Sequence, residues 1–454
     1  MPNPTRFSRQ YPTALATLLT VAASQTHAAG FALIEQSVSG LGNAYAGAAA
    51  SAEDASTVFY NPAGLMFLKG NQVVGAGHVI VPSAKFTDSG STINPLVGGG
   101  ALSGGNGGDA GSASLIPNFY YANQLSNGLV LGLGVNAPFG LKTEYDSSWV
   151  GRYHAIESEL KTVSINPVIA YNAGDDIAVG VGVLAQYADA TLTNAIDFGT
   201  VCLGSALAAT CPGAGVLPQT ADGTGKVEGD DWGFGFNFGI MYSITDASRV
   251  GFNYRSKIKH TLEGDADFTV PTSFATLLAL AGSTQFSNTG AEASVTLPES
   301  ASLSLYHELD DRWAVLADAT WTRWSRFEEL RVKFDNPVQA DNVTAENWDN
   351  SLRYSLGVNY RYDPQWRLRA GIAYDETPVS SAADRTPRIP DNSRRWLAAG
   401  ASYRSSDTLH FDIGYAHLLV SDAATNNTNS LGHTLMGKYE SSVDILGAQV
   451  NWMF

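Results

Sequence analysis

Charge is scarce in this sequence. Only 15% of its 454 residues are Asp, Glu, Lys or Arg, against about 25% in ordinary soluble domains. Positive charge is the scarcer sign: 27 Lys and Arg stand against 43 Asp and Glu, a net charge of −16. With no basic run, the chain lacks the electrostatic footprint of a nucleic-acid binder. Cysteine is nearly absent, with 2 residues, Cys202 and Cys211. Past the N-terminus no apolar run reaches the ~18 residues of a membrane helix, and the mean hydropathy is −0.06. No HExxH or HxxxH spacing joins His78, His154, His260, His307, His410, His417 and His433, so no metal site is expected. No GxSxG elbow is present. No catalytic residue stands out, no cofactor is called for, and the chain does not read as an enzyme.

What is abundant is glycine, 46 residues, and aromatics, 10%. Few charges, many glycines and many aromatics without long apolar runs point to an outer-membrane β-barrel. The N-terminus agrees. Residues 1–28 read as a secretory leader: Arg6 and Arg9, then a short apolar core from Ala14 to Ala23, then Thr26 and Ala28 at the −3 and −1 positions of a cleavage site. An exported chain meets an oxidising compartment. A Cys202–Cys211 disulfide closing a surface loop is therefore expected, with free thiols as the alternative.

The dominant pattern is alternation. Leu352, Tyr354, Leu356, Val358 and Tyr360 alternate with Arg353, Ser355, Gly357, Asn359 and Arg361. Phe234, Phe236, Phe238 and Ile240 alternate with Gly235, Asn237 and Gly239. Successive strand residues point to opposite faces, so each segment has one apolar face and one polar or small face. These segments exceed the five or six residues of a typical soluble strand and suit a tilted membrane crossing. Aromatics gather near strand ends, as in Trp313, Tyr360, Tyr362, Trp452 and Phe454, in the manner of interfacial girdles. Tight turns alternate with long connections near 88–114, 195–230, 264–292, 335–348, 379–393 and 421–440. The prediction is all-β: a 14-stranded antiparallel transmembrane barrel over 71–454, its sixth strand at 232–244 and its last at 442–454. An even number closes the sheet without edges. Paired glycines such as Gly132/Gly134, Gly180/Gly182 and Gly233/Gly235 read as small-residue packing, not as phosphate loops.

Residues 29–70 break the pattern. They are rich in Gly, Ala and Ser, yet Leu41, Tyr45, Val58, Phe59, Tyr60, Leu65 and Phe67 are too apolar for a solvated tail. They suit a plug inside the barrel. In the third strand, Pro138 lies between Asn136 and Gly140. Pro donates no ladder hydrogen bond and Gly tolerates a bulge, so pairing should fail there. Lipid-facing backbone cannot stay unpaired cheaply, so such a break needs cover from inside.

Several segments then carry a resemblance. Ala29-Gly30-Phe31-Ala32-Leu33, Ser39-Gly40-Leu41-Gly42-Asn43-Ala44-Tyr45-Ala46-Gly47 and Asn61-Pro62-Ala63-Gly64 come in order. Ala137-Pro138-Phe139-Gly140-Leu141 and Arg388-Ile389-Pro390-Asp391-Asn392-Ser393-Arg394 follow, and the chain ends on Phe454. Together they resemble the bacterial outer-membrane long-chain fatty acid and aromatic hydrocarbon transporters of the FadL type, over the whole chain after the leader. The resemblance implies a barrel plugged by an N-terminal hatch, with Phe31, Gly40, Leu41, Gly42, Tyr45, Asn61, Pro62 and Ala63 among its residues. It implies a ligand pocket inside the barrel and a sideways exit at Asn136, Ala137, Pro138, Phe139 and Gly140. Transport would be passive, with a hydrophobic small molecule and outer-membrane lipid as partners and the chain a monomer.

Two further groups are candidates. Phe274, Leu277, Leu278 and Leu280 form an apolar helix in a polar loop; they line a ligand groove or pack on the Cys202–Cys211 loop. Arg255, Arg353, Arg361 and Arg369 face the lumen by alternation; they form a hydrated ion-pair wall, or one or two anchor a fatty carboxylate. The fatty-acid members carry cations near the ends of the fifth and tenth strands, where this chain has Asn194 and Asp349. Alkanes or monoaromatics therefore stay open beside fatty acids. An outer-membrane lipase and an open porin or adhesin are the readings of other classes.

Overall fold

The computed structural model describes residues 30–454. The expected leader, 1–28, lies outside the described residues. Fourteen antiparallel strands close into one barrel. The first seven are β1, Gln72–Asp88; β2, Ser114–Gln124; β3, Val130–Asn136 with Gly140–Glu144; β4, Glu157–Asn172; β5, Ile177–Asp197; β6, Asp222–Thr245; and β7, Ser248–Arg255 with Ile258–Thr269. The rest are β8, Thr289–Leu297 with Ser300–Glu308; β9, Trp313–Thr322 with Glu329–Phe334; β10, Asn342–Ala345 with Ser351–Arg361; β11, Trp366–Asp375; β12, Arg394–Arg404; β13, Leu409–Val420 with Ala423–Thr428; and β14, Thr434–Met453. β14 closes on β1 from Gln72↔Met453 to Asp88↔Gly437.

The barrel is inside-out relative to a soluble sandwich. Val183, Phe234, Leu356, Ile413 and Leu446 are exposed on its outer face, while Asn166, Gln186, Asn237, Asp412 and Gln449 are buried within. A surface this apolar is unstable in water and stable in lipid. Aromatic pairs ring the tight-turn end: Trp313 against Tyr360 at 4.4 Å, Trp366 against Tyr403 at 4.8 Å, Trp452 against Phe454 at 4.9 Å. A further pair, Tyr187 against Trp232, sits higher. From Ile177 to Tyr187 is about 33 Å of strand, which at a tilt near 40° crosses about 25 Å, the height of a lipid-facing band.

Beyond that upper level the strands run on. β6 starts at Asp222 rather than 232 and β14 at Thr434 rather than 442; β7 reaches Thr269 and β8 starts at Thr289. The long connections read at 195–230, 264–292 and 421–440 are shortened accordingly. Both faces of these extensions meet water or loops, so apolar alternation fades while hydrogen-bond pairing continues. Six of the strands are interrupted, as β8 is at Pro298 and Glu299.

Residues 30–70 pack against the inner face of the strands. Short helical turns at Val38–Leu41, Ala48–Ser51, Thr57–Tyr60 and Pro62–Phe67 lead into β1. Leu41, Tyr45, Val58, Asn61 and Leu65 are fully buried. Asn61 caps the last turn by accepting from the Ala63 amide at 3.0 Å. Its amide group donates to Ala49 at 2.6 Å and to Ile240 of β6 at 3.0 Å. Lumenal glycines make the berth. A Cβ on Gly371 would come within 2.2 Å of the Asn43 backbone, and one on Gly180 within 2.5 Å of Pro62. Of the paired glycines of the sequence, Gly180 meets backbone of this segment and Gly132 and Gly134 meet its Val58 side chain, while Gly182, Gly233 and Gly235 face residues of neighbouring strands.

Candidate functional site: cavity, strand break and hatch contacts

The break in β3 falls where Pro138 predicts it. β2 and β3 stop pairing at Phe119↔Val135. Above this point, Ser114–Asn118 of β2 keep β1 as their only strand partner, from Ile80↔Ser114 to Ala76↔Asn118. Among the strands, Gly140–Glu144 pair only with β4, from Gly140↔Lys161 to Glu144↔Glu157; Thr143 also bridges Gly111 of the β1–β2 connection, and the Glu144 amide donates to the Ala110 carbonyl at 3.1 Å. The wall between Leu115-Ile116-Pro117 and Gly140-Leu141-Lys142 is therefore not bridged by strand pairing.

The backbone groups freed at the break are satisfied from the interior, largely by the hatch. The Leu33 amide donates to the Pro138 carbonyl at 2.8 Å, and the Gly140 amide to the Phe31 carbonyl at 3.0 Å. Ala32 and Phe139 form an antiparallel bridge between them. The Gln36 side chain donates to the Ala137 carbonyl at 2.9 Å. The Thr162 hydroxyl accepts from the Phe139 amide at 3.0 Å and donates to its carbonyl at 2.6 Å. Phe31 itself sits in an aromatic cluster with Phe139, Trp324, Phe327 and Trp348, ring centroids 4.8 to 6.1 Å away. Gly30 is held by a second clamp: its amide donates to Asp391 at 3.1 Å and its carbonyl accepts from Arg394 at 3.0 Å.

A cavity of about 620 Å³ lies beside this junction. Its walls include Phe31–Glu35, Phe59 and Tyr60 of the hatch, Leu115–Pro117 of β2, and Ala137–Thr143 at the break. Arg255, Arg353 and Trp396 contribute from the barrel wall. The hatch and the break thus border one space.

The four candidate arginines divide. Arg255 donates to the Phe59 carbonyl at 3.1 Å and lies 4.2 Å over its ring. Arg353 donates to the Ala44 carbonyl at 2.9 Å and lies 4.9 Å over Trp396; its Nε and Nη1 are buried without a partner. Both line the cavity. Arg369 does not: it is paired with Glu53 of the hatch and, at 3.0 Å, with Asp412. Arg361 is exposed at the tight-turn end, donating to Asp311 at 2.8 Å. Alternation gives a residue's face but not its height, and these two stand too near the turn end to reach the cavity.

The helix Thr272–Leu280 lies apart from this cavity. Phe274 and Leu278 are buried, and Leu277 half-buried, against Phe198, Cys202, Cys211 and Val216; Leu280 is 82% exposed. None of the four lines the cavity. Cys202 and Cys211 are joined in a disulfide, and the helix packs on that loop.

Three functional contacts escape sequence reading. Thr162 and Gln36 cover the break, and Asp391 with Arg394 clamps Gly30. The last pair stands in a motif that the sequence displays, but without a signal of its partner some 360 residues away.

A closed antiparallel barrel with an apolar outer face and an interior cavity bordered by a strand break is the architecture of an outer-membrane β-barrel. The family described as outer membrane protein transport protein (OMPP1/FadL/TodX) matches residues 19–454, and the chain belongs to it. It is 34% identical to outer membrane protein P1 of Haemophilus influenzae over 89% of each chain. It is 30% identical to the long-chain fatty acid transport protein of Escherichia coli O6:H1, over 89% of this chain and 90% of that one. The crystal structure of a Pseudomonas aeruginosa FadL homologue superposes with a TM-score of 0.85 at 25% identity, covering 94% of this chain and 100% of that chain. The protein is an outer-membrane transporter of hydrophobic molecules.

Proposed function

We infer that the chain carries long-chain fatty acids inward by diffusion, through the cavity and out sideways at Asn136–Gly140. The observation that carries this reading is the pairing of Phe31–Leu33 with Pro138–Gly140 on the wall of that cavity. An apolar ligand gains about 0.8 kcal/mol per methylene kept out of water, so an aqueous exit would forfeit most of the binding energy of a long acyl tail. A lateral exit avoids that loss. It opens when the hatch's first residues let go of the break, which frees the backbone of both at once. Arg353, with two donors free of partners, and Arg255 beside it give the wall of the cavity two cations past which the ligand travels.

Replacing Pro138 with Val restores the missing backbone donor, and with Gly140 replaced by Thr it raises the β propensity of the break. Uptake of radiolabelled fatty acid should fall at least tenfold, while the barrel still folds and still binds ligand. Normal uptake by the folded variant would send the ligand out past a displaced hatch instead. Monoaromatics or alkanes are the second reading, favoured by Asn194 and Asp349 standing where fatty-acid members carry cations.

A further inference from the structure

A second, smaller space of about 80 Å³ adjoins the cavity on the loop side of Phe31. Its walls are almost wholly apolar: Phe31, Leu141, Val227, Leu262, Phe327 and Leu330. Phe31, Leu141 and Leu160 line both spaces. Two ionisable side chains reach this slot from the connections. Arg388 comes from the β11–β12 connection and Glu346 from the interruption of β10, both beyond the membrane-crossing part of the barrel.

Arg388 is 8% exposed and has only neutral partners among the described residues. It donates to the Ser158 hydroxyl at 2.9 Å, the Glu157 carbonyl at 3.4 Å and the Asn194 side-chain oxygen at 3.5 Å. Glu346 is 1% exposed, and its Oε2 has no hydrogen-bond partner. A buried cation without an ion pair and a buried acid with an orphaned oxygen both carry a desolvation cost. Placed in one greasy slot, they leave room for a group that satisfies both.

We propose that this slot receives the head of an amphipathic carboxylic acid: the ligand carboxylate pairs with Arg388 and accepts a hydrogen bond from the neutral Glu346, while its tail passes Phe31 into the large cavity. The inference rests on the transporter reading and names its substrate class. It also assigns the head group to two residues of the connections, in a chain whose fifth strand offers only Asn194 at that height. Glu346 is more than a donor. Burial pushes its carboxyl up to about 8, with Arg388 pulling down and Asp384 pushing up. Glu159 and Glu228 are the other carboxylates bordering the slot. Burial holds Arg388 down at about 10, so it stays charged at neutral pH. Below pH 8 Glu346 is therefore a donor. Above pH 8 it becomes an anion that competes with the ligand for Arg388 and repels it.

The test uses the purified full chain in detergent, with oleate and oleyl alcohol as probes of equal tail. Wild type should bind oleate at least tenfold more tightly than the alcohol at pH 7. Arg388→Gln should erase that preference, and Arg388→Lys should restore much of it. Between pH 7 and pH 9 wild-type affinity for oleate should fall several-fold, whereas Glu346→Gln should hold steady. Retained barrel mobility on unheated gels confirms that each variant is folded. A preference unchanged in Arg388→Gln, or the same pH response in Glu346→Gln as in wild type, overturns the proposal. If wild type binds both probes equally, only this inference falls; if it binds neither, nor toluene, the transporter reading falls with it.

Discussion

At the scale of single residues, the lumenal arginines act first on the hatch. Arg353, Arg255 and Arg249 donate to the carbonyls of Ala44, Phe59 and Ser51, so cations meet the exposed carbonyls of short helical turns. Glu53 completes the set from the other side. It pairs with Arg367 at 3.2 Å and with Arg369, and it accepts from Asn359 at 2.8 Å. Next to it Asp54 accepts from Ser39 at 2.7 Å and from Gln449 at 2.8 Å. Removing one partner of a buried charge pair costs about 3–5 kcal/mol, because the other charge is stranded. Glu53→Ala should therefore loosen the turn end of the hatch by an amount of that order. Limited proteolysis should then cut between residues 50 and 60 in the variant and spare the wild type; equal resistance would show that Glu53 is not a latch.

At the scale of elements, the hatch and the broken β3 form one unit. The break would leave unpaired backbone in lipid, and the hatch supplies the missing partners; the hatch start in turn has no strand of its own and borrows one from the break. Each is stable because the other is there. The segment's turns lie against glycines on β5, β6 and β11, the packing that a plug would require. Deleting residues 30–70 should give large, steady ion conductance in planar bilayers. A deletion that conducts no better than the full chain would mean that the connections, and not the hatch, seal the pore. The disulfide loop and the helix Thr272–Leu280 belong to a different unit, a hydrophobic cap over the β5–β8 side with its own core around Phe198.

At the scale of the whole molecule, the chain has two opposite surfaces and two opposite rules. The outer face is apolar at mid-height, whereas the inner face carries charges, some ion-paired as Arg369 is with Glu53 and Asp412, others set on backbone carbonyls as Arg255 and Arg353 are. Val183 on β5 is 62% exposed and lies below the Tyr187–Trp232 pair. Val183→Arg should cost about 2–4 kcal/mol of folding stability in lipid, measured by denaturant titration in bilayers. The same charge at Gln186, on the lumenal face, should cost nothing through lipid and act only through its neighbours Ser164 and His260. Equal penalties at both positions would contradict the assignment of faces.

The barrel was legible because its cause is local. Lipid on one side and water on the other impose a period of two on every crossing, and a period of two is visible in any ten residues, as in Leu352–Arg361. Strand count, the break at Pro138 and the apolar oddity of residues 29–70 all follow from such short windows. Where the cause was not local, the sequence fell silent. The strand extensions of β6 and β14 lie above the lipid, where no one-sided solvent marks them. Arg361 and Arg369 have the right face, but height along a tilted strand depends on the shear of the closed barrel. Phe274 and Leu278 are apolar in any reading, and only packing decides that they cover the disulfide loop. The Phe31–Leu33 pairing with Pro138–Gly140, the Asp391–Arg394 clamp on Gly30 and the meeting of Glu346 with Arg388 join residues far apart in the chain. Barrel closure alone brings them together, and burial, by removing water from their charges and amides, gives them their chemistry.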